Sequence, residues 1–282
     1  MSEVNQNPEN CNHDCSSCGT ACPSRNGGSQ SFRIEPHPRS SIRRMIGVVS
    51  GKGGVGKSFV TSLLACEMQR RGHRTAVLDA DITGPSMTKV FGITEKMYGD
   101  GELAYPAVTA GGIQVVSTNM MLEDDSQPVI WRGPIVAGVI KQFYQEVFWD
   151  NVDYMFVDMP PGTGDVPLTV FQSLPLDGII VVTSPQDLVG MVVEKAINMA
   201  DMMNIKMLGL VENMSYVECS KCGEKLYVFG RSHIDEIAAK HGLRVLARIP
   251  LRQEQAEASD SGEVESLKVP EISEAADLIE SL

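Results

Sequence analysis

Short apolar runs alternate along the chain with longer segments in which apolar residues recur every three or four positions. The short runs predict strands at 45–49, 74–78, 113–117, 152–158, 178–184, 206–211 and 245–249. The longer segments predict helices at 59–71, 131–149, 185–203, 234–238 and 272–282. Between the last strand and the last helix, the acidic stretch 254–265 lacks this periodicity and predicts a solvated loop.

Residues 1–40 differ in composition from the rest of the chain. They are rich in Asn, Ser, Gly and Pro and contain too few apolar side chains to build a packed core. The full chain has 282 residues, of which 43% are hydrophobic, which is enough for one large core. It contains one nucleotide-type pattern, which argues for one main domain. We therefore predict a cysteine-containing extension and linker at 1–40 and one main domain at 41–282.

The charge balance and the lengths of the apolar runs argue against two classes of partner. The chain carries 36 acidic and 24 basic residues, a formal charge of −12, which disfavours non-specific binding to nucleic acid. No apolar run approaches the ~18 residues of a membrane span, and the first ten residues are polar. We expect a cytoplasmic protein with no nucleic-acid partner and no membrane partner.

A glycine-rich run lies between the first predicted strand and the first predicted helix. It reads GKGGVGKS and consists of Gly51, Lys52, Gly53, Gly54, Val55, Gly56, Lys57 and Ser58. This strand, loop and helix order predicts a phosphate loop that binds ATP, in which backbone N–H groups surround the phosphates. Lys57 would reach the β- and γ-phosphates and Ser58 would hold Mg²⁺. The alternative is a glycine turn that fits the pattern by chance.

Polar residues stand where three of the later strands end. Asp79 and Asp81 follow one strand, Asp158 ends another, and Asn213 follows a third. Ligands bind at the carboxyl ends of strands in α/β sheets, so Asp158 predicts a Walker B carboxylate and Asp79 a second group near Mg²⁺. Asp81 would orient or deprotonate the attacking water, unless it caps a turn. Asn213 would contact the adenine edge.

Six of the seven cysteines form two clusters. Cys66 stands apart in the first predicted helix, and we expect it to be a small buried hydrophobic residue. The first cluster has the spacing C-x3-C-x2-C-x3-C and comprises Cys11, Cys15, Cys18 and Cys22. Its latter part is similar to a ferredoxin run that binds a 4Fe-4S cluster, although four thiolates also suit tetrahedral zinc. An iron–sulfur cluster, zinc, and a redox or unstructured role all stay open for these residues.

The second cluster supplies only two thiolates, Cys219 and Cys222. His233 and His241 follow, but their spacing does not match a zinc finger. Two chains that each donate both cysteines would provide four ligands on a twofold axis. We therefore predict a 4Fe-4S cluster that bridges a homodimer; zinc bound in air is the alternative.

The run GKGGVGKS resembles the MinD, ParA and nitrogenase iron-protein class of P-loop ATPases. A lysine directly after the first glycine distinguishes this class. The resemblance implies an ATP-gated homodimer in which Lys52 reaches the partner's nucleotide.

A wider set of motifs resembles the Mrp-type, ApbC-like iron–sulfur cluster carrier ATPases. Besides the phosphate loop, the set comprises LDADITGPS at 78–86, WRGP at 131–134, DMPPGTGD at 158–165, ENMS at 212–215 and CSKC at 219–222. The resemblance implies a three-layer P-loop α/β fold with a mostly parallel sheet and helices on both faces. It also implies slow ATP hydrolysis coupled to the binding of a cluster and its transfer to apo iron–sulfur client proteins.

Two other functions share this phosphate loop. A switch like MinD or ParA, with structural zinc at the cysteines, would carry a basic amphipathic helix or a basic face, and the acidic segment 271–282 lacks both. A reductase like the nitrogenase iron protein would place its cluster ligands on widely separated segments rather than in one C-x2-C. The sequence therefore favours the carrier.

Overall fold

A computed structural model describes residues 33–82, 84, 86–121, 133–162, 164–185 and 189–282. Within this range, Arg33–Leu282 form one unit. Several predictions lie outside the described residues: the ligand roles of Cys11, Cys15, Cys18 and Cys22, and the start of the helix predicted from Trp131. They stay predictions.

An eight-stranded sheet runs through the described part of the chain. The strands in chain order are β1 (Ile42–Val49), β2 (Thr75–Asp79), β3 (Tyr98–Gly99), β4 (Ala104–Tyr105), β5 (Ala107–Val108), β6 (Gln114–Val116), β7 (Val152–Asp158), β8 (Gly178–Thr183), β9 (Met207–Glu212), β10 (Val217–Glu218), β11 (Lys225–Leu226) and β12 (Val245–Arg248). Their spatial order in the sheet is β12-β9-β8-β1-β7-β2-β6-β5. All neighbours pair in parallel except β5 and β6. Two hairpins, β3–β4 and β10–β11, stand apart from this sheet.

Helices cover both faces of the sheet. They are α1 (Lys57–Arg70), α2 (Met87–Val90), α3 (Gly133–Glu146), α4 (Asp165–Ser173), α5 (Val189–Met202), α6 (Ile234–Lys240), α7 (Gln253–Ser261) and α8 (Ser273–Glu280). One hydrophobic cluster joins the sheet to α3, α4, α5 and α6, and a second joins it to α1, α2 and α8. Three layers result, which confirms the predicted fold class.

Strand β1 shows how the two clusters arise. Met45 and Val49 belong to one cluster, whereas Ile46 and Val48 belong to the other. Side chains alternate between the two faces of a strand, and both faces of β1 are covered. A strand buried on both sides therefore reads as a continuous apolar run.

The acidic stretch 254–265 was predicted to be a loop, and that prediction is wrong. Residues Gln253–Ser261 form α7, and Val264–Ser266 form a 3-10 helix. Gln, Glu and Ala favour helices even without an apolar stripe, and α7 buries only Gln255 and Ala258. It ends at Gly262, whose φ of 77° suits a helix terminus.

Five polar residues lie at or just after the ends of four parallel strands, beside the glycine-rich loop that follows β1. They are Asp79 of β2, Asp158 of β7, Thr183 of β8, and Glu212 and Asn213 at the end of β9. Among the described helices, none is long and apolar enough to cross a membrane.

Candidate functional site

The glycine-rich loop connects β1 to α1, as predicted from the sequence, and α1 begins at Lys57 rather than at Phe59. Gly56 precedes the helix with φ 78°, a conformation that side chains rarely adopt. A Cβ at Gly56 would lie 2.1 Å from the Asn213 side-chain nitrogen. This position therefore requires glycine for both its backbone conformation and its close packing.

Lys57 lies in a buried cluster of opposite charge. Its Nζ is 2.7 Å from Asp158 Oδ2 and 3.7 Å from Asp81 Oδ2. Ser58 Oγ donates to Asp158 Oδ2 at 2.6 Å, and Thr61 Oγ donates to Asp158 Oδ1 at 2.8 Å. The first two turns of α1 thus direct an ammonium and two hydroxyls toward one fully buried carboxylate.

Asp79 is the second fully buried carboxylate of this site and pairs in register with Asp158 on the neighbouring strand. It accepts hydrogen bonds from Ser117 Oγ at 3.0 Å and from the backbone N–H of Asp81 and of Met87. Burial, together with the charge of Asp158, raises the pKa of Asp79 to about 7. Burial also raises the pKa of Asp158, while Lys57 opposes that rise.

The composition of this cluster fits a divalent cation with a polyphosphate. Asp79, Asp81 and Asp158 bring three carboxylates and Lys57 one ammonium. Mg²⁺ is coordinated by oxygen atoms. Ser58 Oγ and Asp158 Oδ2 are two such oxygens, and they lie within hydrogen-bond distance of each other. The described residues at this edge of the sheet are therefore compatible with a bound nucleotide, and the assignment of Mg²⁺ to Ser58 and Asp158 stays a prediction.

Lys52 and Asn213 border the same loop. The backbone carbonyl of half-buried Lys52 accepts a hydrogen bond from Ser50 Oγ at 3.0 Å. Asn213 is buried, and its side-chain amide donates to the carbonyl of Val55 at 2.9 Å. The structure thus brings Asn213 against the phosphate loop, and its predicted contact with adenine stays a prediction.

The two remaining predicted ligands, Cys219 and Cys222, lie on the turn between β10 and β11. The Cys219 N–H donates to the Glu224 carbonyl at 2.9 Å, and the Gly223 N–H donates to the Cys219 carbonyl at 2.8 Å. Gly223 has φ 73°, so glycine suits this tight turn. The C-x2-C is therefore a preformed turn.

Both cysteines of this turn are accessible, since Cys222 is exposed and Cys219 is half-buried. Hydrogen bonds from the backbone N–H of Lys221 and then of Cys222 lower the pKa of the Cys219 thiol. A thiolate is the form that binds metals. Among the described residues, no third His, Cys, Asp or Glu side chain joins the two cysteines in a group that could hold a metal ion, so the turn has two ligands.

Cys66 is buried in α1, and its burial raises the pKa of its thiol to about 12. This confirms the prediction that Cys66 is a small buried hydrophobic residue.

Sequence reasoning missed two residues of the buried carboxylate cluster, Thr61 and Ser117, and one buried acid outside it, Glu212. Thr61 lies one helical turn after Lys57 and Ser58, so helical spacing could have identified it. Ser117 follows the strand next to β2 and donates to Asp79. Glu212 ends β9 and is fully buried, but no sequence signal distinguishes it from an exposed acid at a strand end.

We expect Asp79→Asn to change how stability depends on pH. Asp79 has a pKa of about 7 in the folded protein and an ordinary value of 3.8. The folded state therefore holds a proton that the unfolded chain releases, and wild-type stability falls as the pH rises through this interval. Asparagine cannot ionise. We therefore expect the difference in free energy of unfolding, variant minus wild type, to increase by about 2 kcal/mol as the pH rises from roughly 5 to 8. Urea denaturation without nucleotide or Mg²⁺ measures this difference.

Asp100→Asn is the matched control. Hydrogen bonds from the N–H of Leu103 and of Glu102 lower the pKa of Asp100 to about 2, so this residue stays ionised throughout the same interval. The difference between this variant and wild type should stay constant there. A constant difference for Asp79→Asn as well would contradict the ionisation that we assign to Asp79.

Comparisons with known proteins agree with this geometry. A family model described as NUBPL iron-transfer P-loop NTPase matches residues 41–282. A curated protein from Clostridium perfringens, named iron-sulfur cluster carrier protein, is 45% identical over 233 residues, which are 80% of this chain and 82% of that protein. A nucleotide-binding protein from Archaeoglobus fulgidus, solved in complex with ADP, is 41% identical with a TM-score of 0.73, covering 80% of this chain and 89% of that one. A chain of the MinC:MinD complex from Aquifex aeolicus is 19% identical with a TM-score of 0.61, covering 85% of this chain and 96% of that one, and shares the fold.

Proposed function

The chain belongs to the NUBPL iron-transfer family of P-loop NTPases, and from this premise we propose that it is an ATP-dependent iron–sulfur cluster carrier that delivers a 4Fe-4S cluster to apoproteins. The membership confirms the resemblance that the motifs indicated. One observation carries the proposal: the chain combines a complete phosphate loop with a preformed, accessible C-x2-C turn. The related protein from Clostridium perfringens is named iron-sulfur cluster carrier protein.

In this proposal, the buried cluster around Lys57 binds and hydrolyses ATP slowly. Lys57 binds the β- and γ-phosphates, and Ser58 and Asp158 hold Mg²⁺, which neutralises phosphate charge when bound. Asp79 supports this site from the neighbouring strand. Asp81, 8% exposed and 3.7 Å from Lys57, orients the attacking water.

The cysteine turn binds the cluster as cargo. Because it offers two thiolates, a second copy of the chain completes the four ligands on a twofold axis. Exposed apolar side chains follow the turn directly, among them Val228 at 64% and Phe229 at 43%. We infer that they pack against the same residues of the second copy, while Lys52 contacts the partner's nucleotide.

The thiols must stay reduced to bind iron, which supports a cytoplasmic location. The N-terminal residues Cys11, Cys15, Cys18 and Cys22 form a second candidate metal site. Either an iron–sulfur cluster or zinc suits their spacing.

Anaerobic reconstitution of the full chain with iron and sulfide tests the proposal. We expect the absorption and EPR spectra of a 4Fe-4S cluster, with two or more chains per cluster. The protein should transfer iron and sulfide to an apo iron–sulfur acceptor, and added nucleotide should change the rate of this transfer. Wild-type protein that holds stoichiometric zinc and shows no cluster spectrum would contradict the proposal and favour a MinD-like switch with structural zinc.

A further inference from the structure

Glu212 is a buried carboxylate for which neither ATP chemistry nor cluster binding gives a role. It is 0% exposed at the end of β9. Its neighbour in β12, Arg248, pairs with Asp235 at 2.5 Å. Among the described residues, no cationic side chain lies within ion-pair distance of Glu212. A buried acid of this kind depends on hydrogen-bond donors.

The donors to Glu212 flank the cysteine segment, which we define as residues 216–231. Ser215 Oγ, just before the segment, donates to Glu212 Oε2 at 2.5 Å. Ser232 Oγ, just after the segment, donates to Glu212 Oε1. One carboxylate thus holds both ends of the loop that carries Cys219 and Cys222.

The donors are themselves fixed to the fold. Ser232 Oγ accepts the N–H of Ile234 at 3.1 Å, at the start of α6. The Ser215 N–H donates to the Ile249 carbonyl at 2.9 Å. A displacement of Glu212 would therefore be transmitted to the base of the cysteine segment rather than absorbed by mobile side chains.

The residue after Glu212 contacts the phosphate loop. Asn213 donates its side-chain amide to the Val55 carbonyl at 2.9 Å and its backbone N–H to the Thr183 carbonyl at 2.8 Å. It also fills the space beside Gly56. Of two consecutive residues at one strand end, Asn213 therefore contacts the nucleotide loop and Glu212 contacts the two serines that flank the cysteine segment.

We propose that Glu212 is a positioning residue that couples the phosphate loop to the cysteine turn. Nucleotide that moves Val55 and Gly56 displaces Asn213, and Glu212 carries the displacement to Ser215 and Ser232. The proposal rests on the proposed function, because it takes the two sites to be those of ATP and of the cluster. Adjacency alone does not establish coupling, so the test measures coupling itself.

The experiment follows alkylation of individual thiols in the full-length, reduced, metal-free protein. Iodoacetamide labelling of Cys219 and Cys222, resolved by peptide mass spectrometry, is compared with and without Mg²⁺ and a non-hydrolysable ATP analogue. In wild type we expect the analogue to change both rates by about fivefold, the size of an ordinary coupling between sites. Glu212→Gln and Ser232→Ala should reduce this effect below about twofold while nucleotide affinity stays within about threefold of wild type.

Two further variants separate coupling from general structural damage. Ser232→Thr keeps the hydroxyl and should restore the wild-type response. Ser259→Ala removes a hydroxyl that donates to the Gln255 carbonyl within α7, and it should leave the response unchanged.

Two outcomes would overturn the proposal. One is a full nucleotide response in Glu212→Gln and Ser232→Ala, which would reduce Glu212 to a structural role. The other is a wild-type protein whose thiol reactivity ignores bound nucleotide. The assay contains no iron, so a failure of the carrier function would be found by reconstitution and would not be mistaken for either outcome.

Discussion

Lys57→Ala is expected to abolish nucleotide binding and ATP hydrolysis. Lys57 supplies the ammonium next to the buried carboxylates of Asp158 and Asp81, at 2.7 Å and 3.7 Å. Without it, phosphates would enter a site that keeps only negative side chains. Truncating one partner of a hydrogen-bonded charge pair that is buried on binding costs about 2–5 kcal/mol of binding free energy, so we expect nucleotide affinity to fall by about a hundredfold. Isothermal titration with ATP and Mg²⁺ measures this change.

Two other lysine variants serve as controls for Lys57→Ala. Lys89 is exposed and pairs with Asp260 on the surface at 2.7 Å, so Lys89→Ala should bind nucleotide as wild type does. Lys52→Ala should retain binding by the single chain and lose hydrolysis, because its proposed contact is with the partner's nucleotide. Unchanged affinity in Lys57→Ala, in protein shown to be folded by circular dichroism, would reject the phosphate-loop assignment.

The strand ends explain why so much of the nucleotide site could be predicted. Asp79 and Asp158 each end an apolar run, and in a parallel sheet such residues meet at one edge. The sequence did not contain the strand order, however. Only the register of β2 against β7 places these two acids side by side. Burial, and then the charge of Asp158, raise the pKa of Asp79.

The cysteine turn shows where pattern reasoning fails. Strands β10 and β11 have two residues each, too few for an alternation of apolar and polar positions. The apolar residues that follow, such as Val228 and Phe229, are exposed, although such a run usually predicts burial. The position of this turn follows instead from hydrogen bonds between distant residues, such as that from Ser232 to Glu212.

Polar helices are difficult to predict for a related reason. Helix α7 buries only Gln255 and Ala258, so it has no apolar stripe that would distinguish it from a solvated loop. Its propensity for helix is visible in the sequence, but propensity alone is a weak signal. A tertiary contact adds to this weak signal, because the end of α7 at Gly262 packs against Gly92 in the region that follows α2.

The double variant Cys219→Ala/Cys222→Ala is expected to remove the transferable cluster and leave the fold intact. Both cysteines lie on an accessible turn outside the two hydrophobic clusters, so their loss creates no buried cavity. The N-terminal cysteines are an independent candidate site, and for this reason the comparison uses a chain that begins at Arg33, the first residue of the described unit. Starting there keeps the hydrogen bond from Ile34 N–H to the Ser173 carbonyl, 2.9 Å long.

In the Arg33–Leu282 chain, anaerobic reconstitution should give about four irons per two chains with the wild-type turn, and none above background with the double variant. Cys66→Ala is the matched control, because it removes a thiol that is buried in α1, and it should bind iron as wild type does. Thermal unfolding of all three proteins without metal should differ little between wild type and the double variant. The carrier proposal depends on four ligands, which are the two thiolates of this turn from each of two chains related by a twofold axis. If the double variant is folded and still retains iron and sulfide, the bridging site is contradicted.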